Sequence, residues 1–149
     1  MKNLIIVGHP NIESFCYSGI FKTVKNSLSK NNEEIEVIDL YRDSFTRPRK
    51  KLIKKYQDLV TWSDRIYFIS PVWWFRLTPR MEIFFDEVFE PGFAYEFVNI
   101  TKLYAYPKPF LKNKKVRTYV THGAPAVSYT HLRAHETEAD LVCRLLLEK

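Results

Sequence analysis

The sequence predicts an α/β protein whose core is a doubly wound parallel sheet in three layers, α/β/α. Two observations predict it. Short apolar runs such as Leu4–Val7 and Ile66–Ile69 end abruptly at Gly8 and at Ser70-Pro71, which suits strands buried on both faces. Between such runs lie stretches whose apolar residues return every three or four positions, the helical period. Strands that alternate with helices imply parallel pairing through right-handed crossovers. At 149 residues, 46% apolar and 15% aromatic, the chain can bury one real core, which excludes disorder.

The elements follow in order. Leu4–Val7 is the first strand. Ser14 can cap a helix whose stripe is Cys16, Ile20, Val24 and Leu28, and Asn31-Asn32 closes it. Ile35–Leu40 is a second, less buried strand. Pro48 is placed to open a second helix, with Leu52, Tyr56, Leu59, Val60 and Ser63 inward and Arg49, Lys50, Lys51, Lys54 and Lys55 outward. Ile66–Ile69 is the third strand. Pro79 starts a third helix with the stripe Met81, Phe84, Phe85, Val88 and Phe89. Pro91–Pro109 is read as an aromatic, proline-rich loop, and Val116–Val120 is the fourth strand.

Composition narrows the function. The formal charge is +6, with 23 basic and 17 acidic residues, which suits an anionic ligand. Residues Arg42 to Lys55 hold seven cations and one acid, Asp43. A solvated helix face explains them better than nucleic acid, since no aromatic interleaving or recognised binding motif accompanies them. Two cysteines, Cys16 and Cys143, form neither a disulfide framework nor a zinc set. No apolar run approaches the ~20 residues a membrane span needs, and Leu4–Val7 is too short for a signal peptide. A cytoplasmic protein is expected.

The last stretch reads differently. Residues 127–137, Val-Ser-Tyr-Thr-His-Leu-Arg-Ala-His-Glu-Thr, look like the translation of a transposase-type sequencing adapter. A sample index would specify Glu138 and Ala139, and the adapter's constant end would give Asp140 to Glu148. The expected organisation is therefore a domain over 1–126, incomplete after its fourth strand, and a non-native tail over 127–149. His131, His135 and Cys143 then leave the list of possible metal ligands.

Ligands of doubly wound sheets bind at the carboxyl ends of the strands, where three loops should meet. The first, Gly8-His9-Pro10-Asn11-Ile12-Glu13-Ser14-Phe15, joins a strand to a helix and suits a phosphate. It carries no dinucleotide-binding or P-loop glycine pattern. The second, Pro71-Val72-Trp73-Trp74-Phe75, has three adjacent aromatics that cannot all enter one core, so at least one is available to a flat heteroaromatic ring. The third is Thr121-His122-Gly123-Ala124-Pro125. No nucleophile–base pair stands out, no catalytic residue is assigned and no metal site is expected. Cys16 lies on an apolar stripe and reads as packing.

These blocks, with Asp39-Leu40-Tyr41 and Phe85-Asp86-Glu87-Val88-Phe89 through Pro91-Gly92-Phe93-Ala94-Tyr95, resemble the NAD(P)H:quinone oxidoreductase family of flavodoxin-like flavoproteins. That family includes ancillary subunits of potassium efflux transporters. The resemblance covers residues 3 to 125 and implies a flavodoxin-like sheet with strand one between strands two and three. It implies that His9, Ser14 and Phe15, with Asn11 in the same turn, hold the phosphate end of FMN or FAD. Pro71, Val72, Trp73, Trp74 and Phe75 would line the flavin ring. Thr121 and Gly123 would meet its polar edge, with His122 standing where the family has glycine. The implied activity is ping-pong hydride transfer from NAD(P)H through the flavin to a quinone, in a homodimer. The alternatives are an ancillary subunit peripheral to a membrane transporter, docking through the basic face at 49–55, or an inactive fragment. Glu82 departs from the family's usual lysine.

Overall fold

The structure is a computed structural model that describes residues 1–101 and 104–123; the adapter-like stretch 127–149 lies outside them. Strand β1 (Lys2–Val7) is followed by a wide π-helical turn (Cys16–Phe21) that runs into α1 (Lys22–Lys30). Next come β2 (Glu34–Asp39), α2 (Lys50–Trp62), β3 (Arg65–Trp73), β4 (Arg76–Leu77) and α3 (Pro79–Val88). Strands β5 (Tyr95–Thr101), β6 (Tyr104–Pro109) and β7 (Lys115–Thr121) complete the described order.

The main sheet runs β2-β1-β3-β7, and all three of its pairings are parallel. β1 therefore lies between β2 and β3, the flavodoxin-like order. The period of two decides which residue faces which layer. Leu4, Ile6, Ile66 and Phe68 face α2 and α3, packing with Tyr56, Val60, Met81, Phe84 and Val88. Ile5, Val7, Tyr67 and Ile69 face the other way, onto Cys16, Tyr17 and Leu28 of the first helix. Phe84 is the hub of the first layer, with ring centroids 5.6 Å from Tyr56, 6.2 Å from Phe68 and 5.7 Å from Phe89.

Several expectations change. Helix α2 begins at Lys50, not Pro48. Arg49 at its N-cap turns inward: its side chain is 8% exposed, forms a two-point ion pair with Glu87 of α3, and lies 4.7 Å over the Phe45 ring. Arg49 thus leaves the solvated basic face, and Glu87 is a tertiary partner. Strand β3 does not stop at Ser70-Pro71. It continues to Trp73 because β4 folds back on it, pairing Val72 with Leu77 and Trp73 with Arg76. The expected loop over 91–109 is instead the antiparallel hairpin β5–β6. Proline at 107 and 109 spoke against a strand locally, but a two-stranded ribbon has two open edges on which a missing N–H is tolerated. Strand β7 pairs with β3 as expected, and Val120 remains 45% exposed. No helix among the described residues is long and apolar enough to cross a membrane.

Phe84 is 1% exposed, so Phe84→Ala should cost about 3–5 kcal/mol in denaturant unfolding. Arg49 holds the Glu87 carboxyl below its ordinary range, mainly through their hydrogen bond. The pair's stabilisation is therefore complete above the ordinary glutamate range and is lost as pH falls through the depressed value. Glu87→Gln should lower the thermal midpoint at pH 7, and the gap to wild type should close toward pH 3. A gap unchanged by pH would remove the ion pair from the account.

Candidate functional site

The carboxyl ends of β1, β3 and β7 bring the three predicted loops to one edge. Gly8 is the junction. Its N–H donates to the Ile69 carbonyl at 2.9 Å, and its own carbonyl accepts the Thr78 hydroxyl at 2.8 Å. A Cβ at Gly8 would come within 2.8 Å of Met81 Cε and 3.2 Å of Thr78 Oγ1, so a larger residue would require the Met81 end and Thr78 to give way. Ser70 Oγ donates to the Pro71 carbonyl at 3.1 Å in the same buried corner. Ser70 and Thr78 bound the second loop in the sequence, where neither carries a predicted role. Thr78 had a signal as the residue before a helix-opening proline, yet its hydroxyl serves Gly8 rather than its own helix.

The first loop is held by its own side chains. The Asn11 N–H donates to His9 Nδ1 at 3.0 Å, and the Glu13 N–H donates to Asn11 Oδ1 at 2.8 Å. The Ser14 carbonyl accepts the N–H groups of Tyr17 and Ser18. Ser14 does not cap the helix through its side chain. Its Oγ is buried and makes no hydrogen bond among the described residues. Phe15 is 68% exposed, and its ring folds over Gly19, where a Cβ would overlap it. Helical turns of the wide type are frequent at functional sites.

The second loop is the turn between β3 and β4. Pro71 and Val72 are buried beneath it, while Trp73, Trp74 and Phe75 stand 44%, 93% and 44% exposed. Trp74 and Phe75 have φ of +51° and +65°, the left-handed pair a two-residue hairpin turn requires. Asn-Gly is the usual choice there. Bulky L-residues carry roughly 1–2 kcal/mol of strain each, and such strain concentrates at functional sites. His9 and Trp73 join the first two loops, their rings edge-on at 5.6 Å.

The third loop joins through Thr121, which is in register with Pro71 and whose Oγ1 lies 3.4 Å from Cys16 Sγ. Burial pushes the Cys16 thiol up, which agrees with packing rather than nucleophilic chemistry. His122 and Gly123 are exposed beyond the strand end, and nothing lies where a Gly123 side chain would project. Of the predicted residues, His9 meets Trp73 and Thr121 pairs with Pro71, while Ser14 lies in the first loop and Trp74 and Phe75 form the β3–β4 turn. Asn11 shapes the first loop, and Phe15 covers the start of the helix. A separate shallow cavity of about 480 Å³ beside Arg47, Pro48, Arg49 and Glu87 is lined by none of them.

A strand-edge site of this form defines a class, and the comparisons agree with it. The profile of the family described as "Flavodoxin-like fold" matches residues 1–146. The chain belongs to that family, and the expected flavodoxin-like kinship holds. It is similar to an uncharacterized NAD(P)H oxidoreductase of Bacillus subtilis, YdeQ, at 37% identity over 87% of this chain and 58% of the relative. Among solved structures it is similar to Smu.1420 of Streptococcus mutans, with 31% identity, a TM-score of 0.70, and coverage of 91% of this chain and 79% of that one. It is also similar to general stress protein 14 of Treponema denticola, solved with FMN, at 29% identity, TM-score 0.59, and coverage of 87% and 66%. The chain spans about half of the length of the curated relatives it matches, 58% and 51% for the first two.

Replacing the strained pair with the turn's preferred residues, Trp74→Asn with Phe75→Gly, should raise the stability of the ligand-free chain by about 1–2 kcal/mol. A lower denaturant midpoint would show that the aromatic pair stabilises the turn.

Proposed function

We propose that this chain is the flavin-binding part of a flavin-dependent NAD(P)H oxidoreductase whose acceptor is a quinone. One observation carries the reading. A buried hydroxyl without a partner, Ser14 Oγ, lies at the start of the first helical run, on the strand edge that also carries a strained aromatic turn. An unsatisfied buried hydroxyl costs about 1–3 kcal/mol, and a phosphate at this helix start would satisfy it. The relatives' names supply the donor class, and FMN is the flavin of the Treponema denticola protein.

The residues present fit that cofactor. His9, Asn11, Ser14 and Phe15 would hold its phosphate end, where the helix start attracts negative charge. The backbone of Pro71 and Val72 and the rings of Trp73, Trp74 and Phe75 would flank the flat ring and exclude water from one side. Thr121, His122 and Gly123 would border its polar edge. When bound, a flavin supplies two-electron hydride chemistry between a nicotinamide and a quinone. The chain's own part is to position the ring and to leave one face open to each partner in turn.

The test is titration of the 149-residue chain with FMN and with FAD, followed by quenching of flavin fluorescence. Stoichiometric binding of FMN is expected, and NADH or NADPH should then bleach the flavin absorbance without oxygen. No binding of either flavin at large excess would sink the reading. Ser14→Ala offers a sign test. It should leave the ligand-free chain as stable as wild type or more so, because it removes the orphaned hydroxyl, yet weaken FMN binding about tenfold. Loss of stability without loss of affinity would return Ser14 to a purely structural role.

A further inference from the structure

We propose that Arg42, just beyond the end of β2, is a positioning residue for the first loop and selects phosphorylated flavin over its unphosphorylated form. The inference rests on the flavin reading above. The guanidinium reaches from one loop to another, and both Nη1 and Nη2 donate to the Pro10 carbonyl at 3.4 Å. Its backbone is fixed by Asp39, whose Oδ1 accepts the N–H groups of Tyr41 and Arg42 at 3.0 and 3.2 Å. The other carboxylate oxygen, Oδ2, accepts the Tyr17 hydroxyl at 2.5 Å. Tyr17 is 7% exposed, and its ring lies 5.9 Å below the Arg42 cation. Asp39, Tyr17, Arg42 and Pro10 thus link the end of β2, the first loop and the start of the first helix.

Charge makes this arrangement informative. No carboxylate is paired with Arg42 among the described residues. Asp39 is spent on Tyr17 and on two amides, and the nearby Asp43 accepts the Tyr56 hydroxyl and faces Lys55. The cation sits by the loop that feeds a helix N-terminus, where the helix dipole already disfavours positive charge. That placement is unfavourable alone and becomes favourable once an anion occupies the loop. Two long bonds to one carbonyl contribute little energy at an exposed position. A stronger acceptor in the loop can displace them, and no side-chain acceptor pairs with the guanidinium among the described residues. A phosphate accepts such a fork at two points, where a flavin ending in a hydroxyl cannot.

The experiment compares FMN with riboflavin on wild type, Arg42→Ala and Arg42→Lys, each first checked for wild-type far-UV circular dichroism and thermal midpoint. Arg42→Ala should raise the dissociation constant for FMN about tenfold and leave that for riboflavin unchanged. Arg42→Lys should recover part of the loss, since the charge stays and the fork is gone. The wild-type affinity for FMN should also fall more steeply with salt than that of Arg42→Ala. Equal losses for both flavins, or no loss for FMN, would overturn the inference while leaving the flavin reading intact. Failure of wild type to bind either flavin would instead overturn the flavin reading, and this inference with it.

Discussion

The position of the whole candidate site depends on the contact between Gly8 and Thr78. The Gly8 N–H continues the β1–β3 ladder one step past the strand, and its carbonyl receives the Thr78 hydroxyl at 2.8 Å. The end of β1, the end of β3 and the start of α3 are thereby tied to one peptide unit. The absence of a side chain at Gly8 leaves the tie unstrained, because Met81 Cε and Thr78 Oγ1 lie close to where a Cβ would project. Met81 is itself fully buried in the layer beneath α3. The first loop is therefore launched from a point fixed by core packing, not by its own composition.

Across the main sheet and the helices that cover it, local preference and tertiary structure largely agree. Strand residues alternate between the two layers, helix stripes face the sheet, and buried tyrosine hydroxyls find carboxylates. At the edge the agreement breaks in two places. Two aromatic residues hold left-handed backbone conformations that suit Asn-Gly, and a buried serine hydroxyl has no partner. A further unpartnered atom, Asn3 Oδ1, lies at the opposite end of β1, but the strained aromatic pair falls at the ligand edge, where strain concentrates in functional sites. The surrounding sheet, which buries Ser70, Pro71 and Val72 beneath the turn, provides the rigidity that keeps the strained conformation in place.

Much of this was legible in the residues. The apolar runs marked β1 and β3 because burial on both faces leaves no room for a polar alternation. Pro79 marked the start of α3, and Gly8, Pro71 with its aromatic run, and Gly123 marked the three loops at the strand ends. Other features could not be read locally. The hairpin β5–β6 hides in a segment whose prolines argue for a loop. The inward turn of Arg49 depends on Glu87, 38 positions away. The fold-back of β4 onto β3 requires positive φ at Trp74 and Phe75, residues that no propensity scale places in such a turn.

By itself, the sequence determined the layers, the strand order and the edge at which ligands would meet the sheet. The layers follow from hydrophobic period and the ligand edge from the handedness of crossovers, which are local properties summed along the chain, while the strand order came with the family resemblance. Tertiary structure alone decided which polar groups would be satisfied. It turned Thr78 toward Gly8, left Ser14 without a partner and laid Arg42 across Pro10. Hydrogen-bond partners of buried or clamped groups are set by what packing brings within about 3 Å, and residues far apart in the chain acquire that neighbourhood only when the sheet closes.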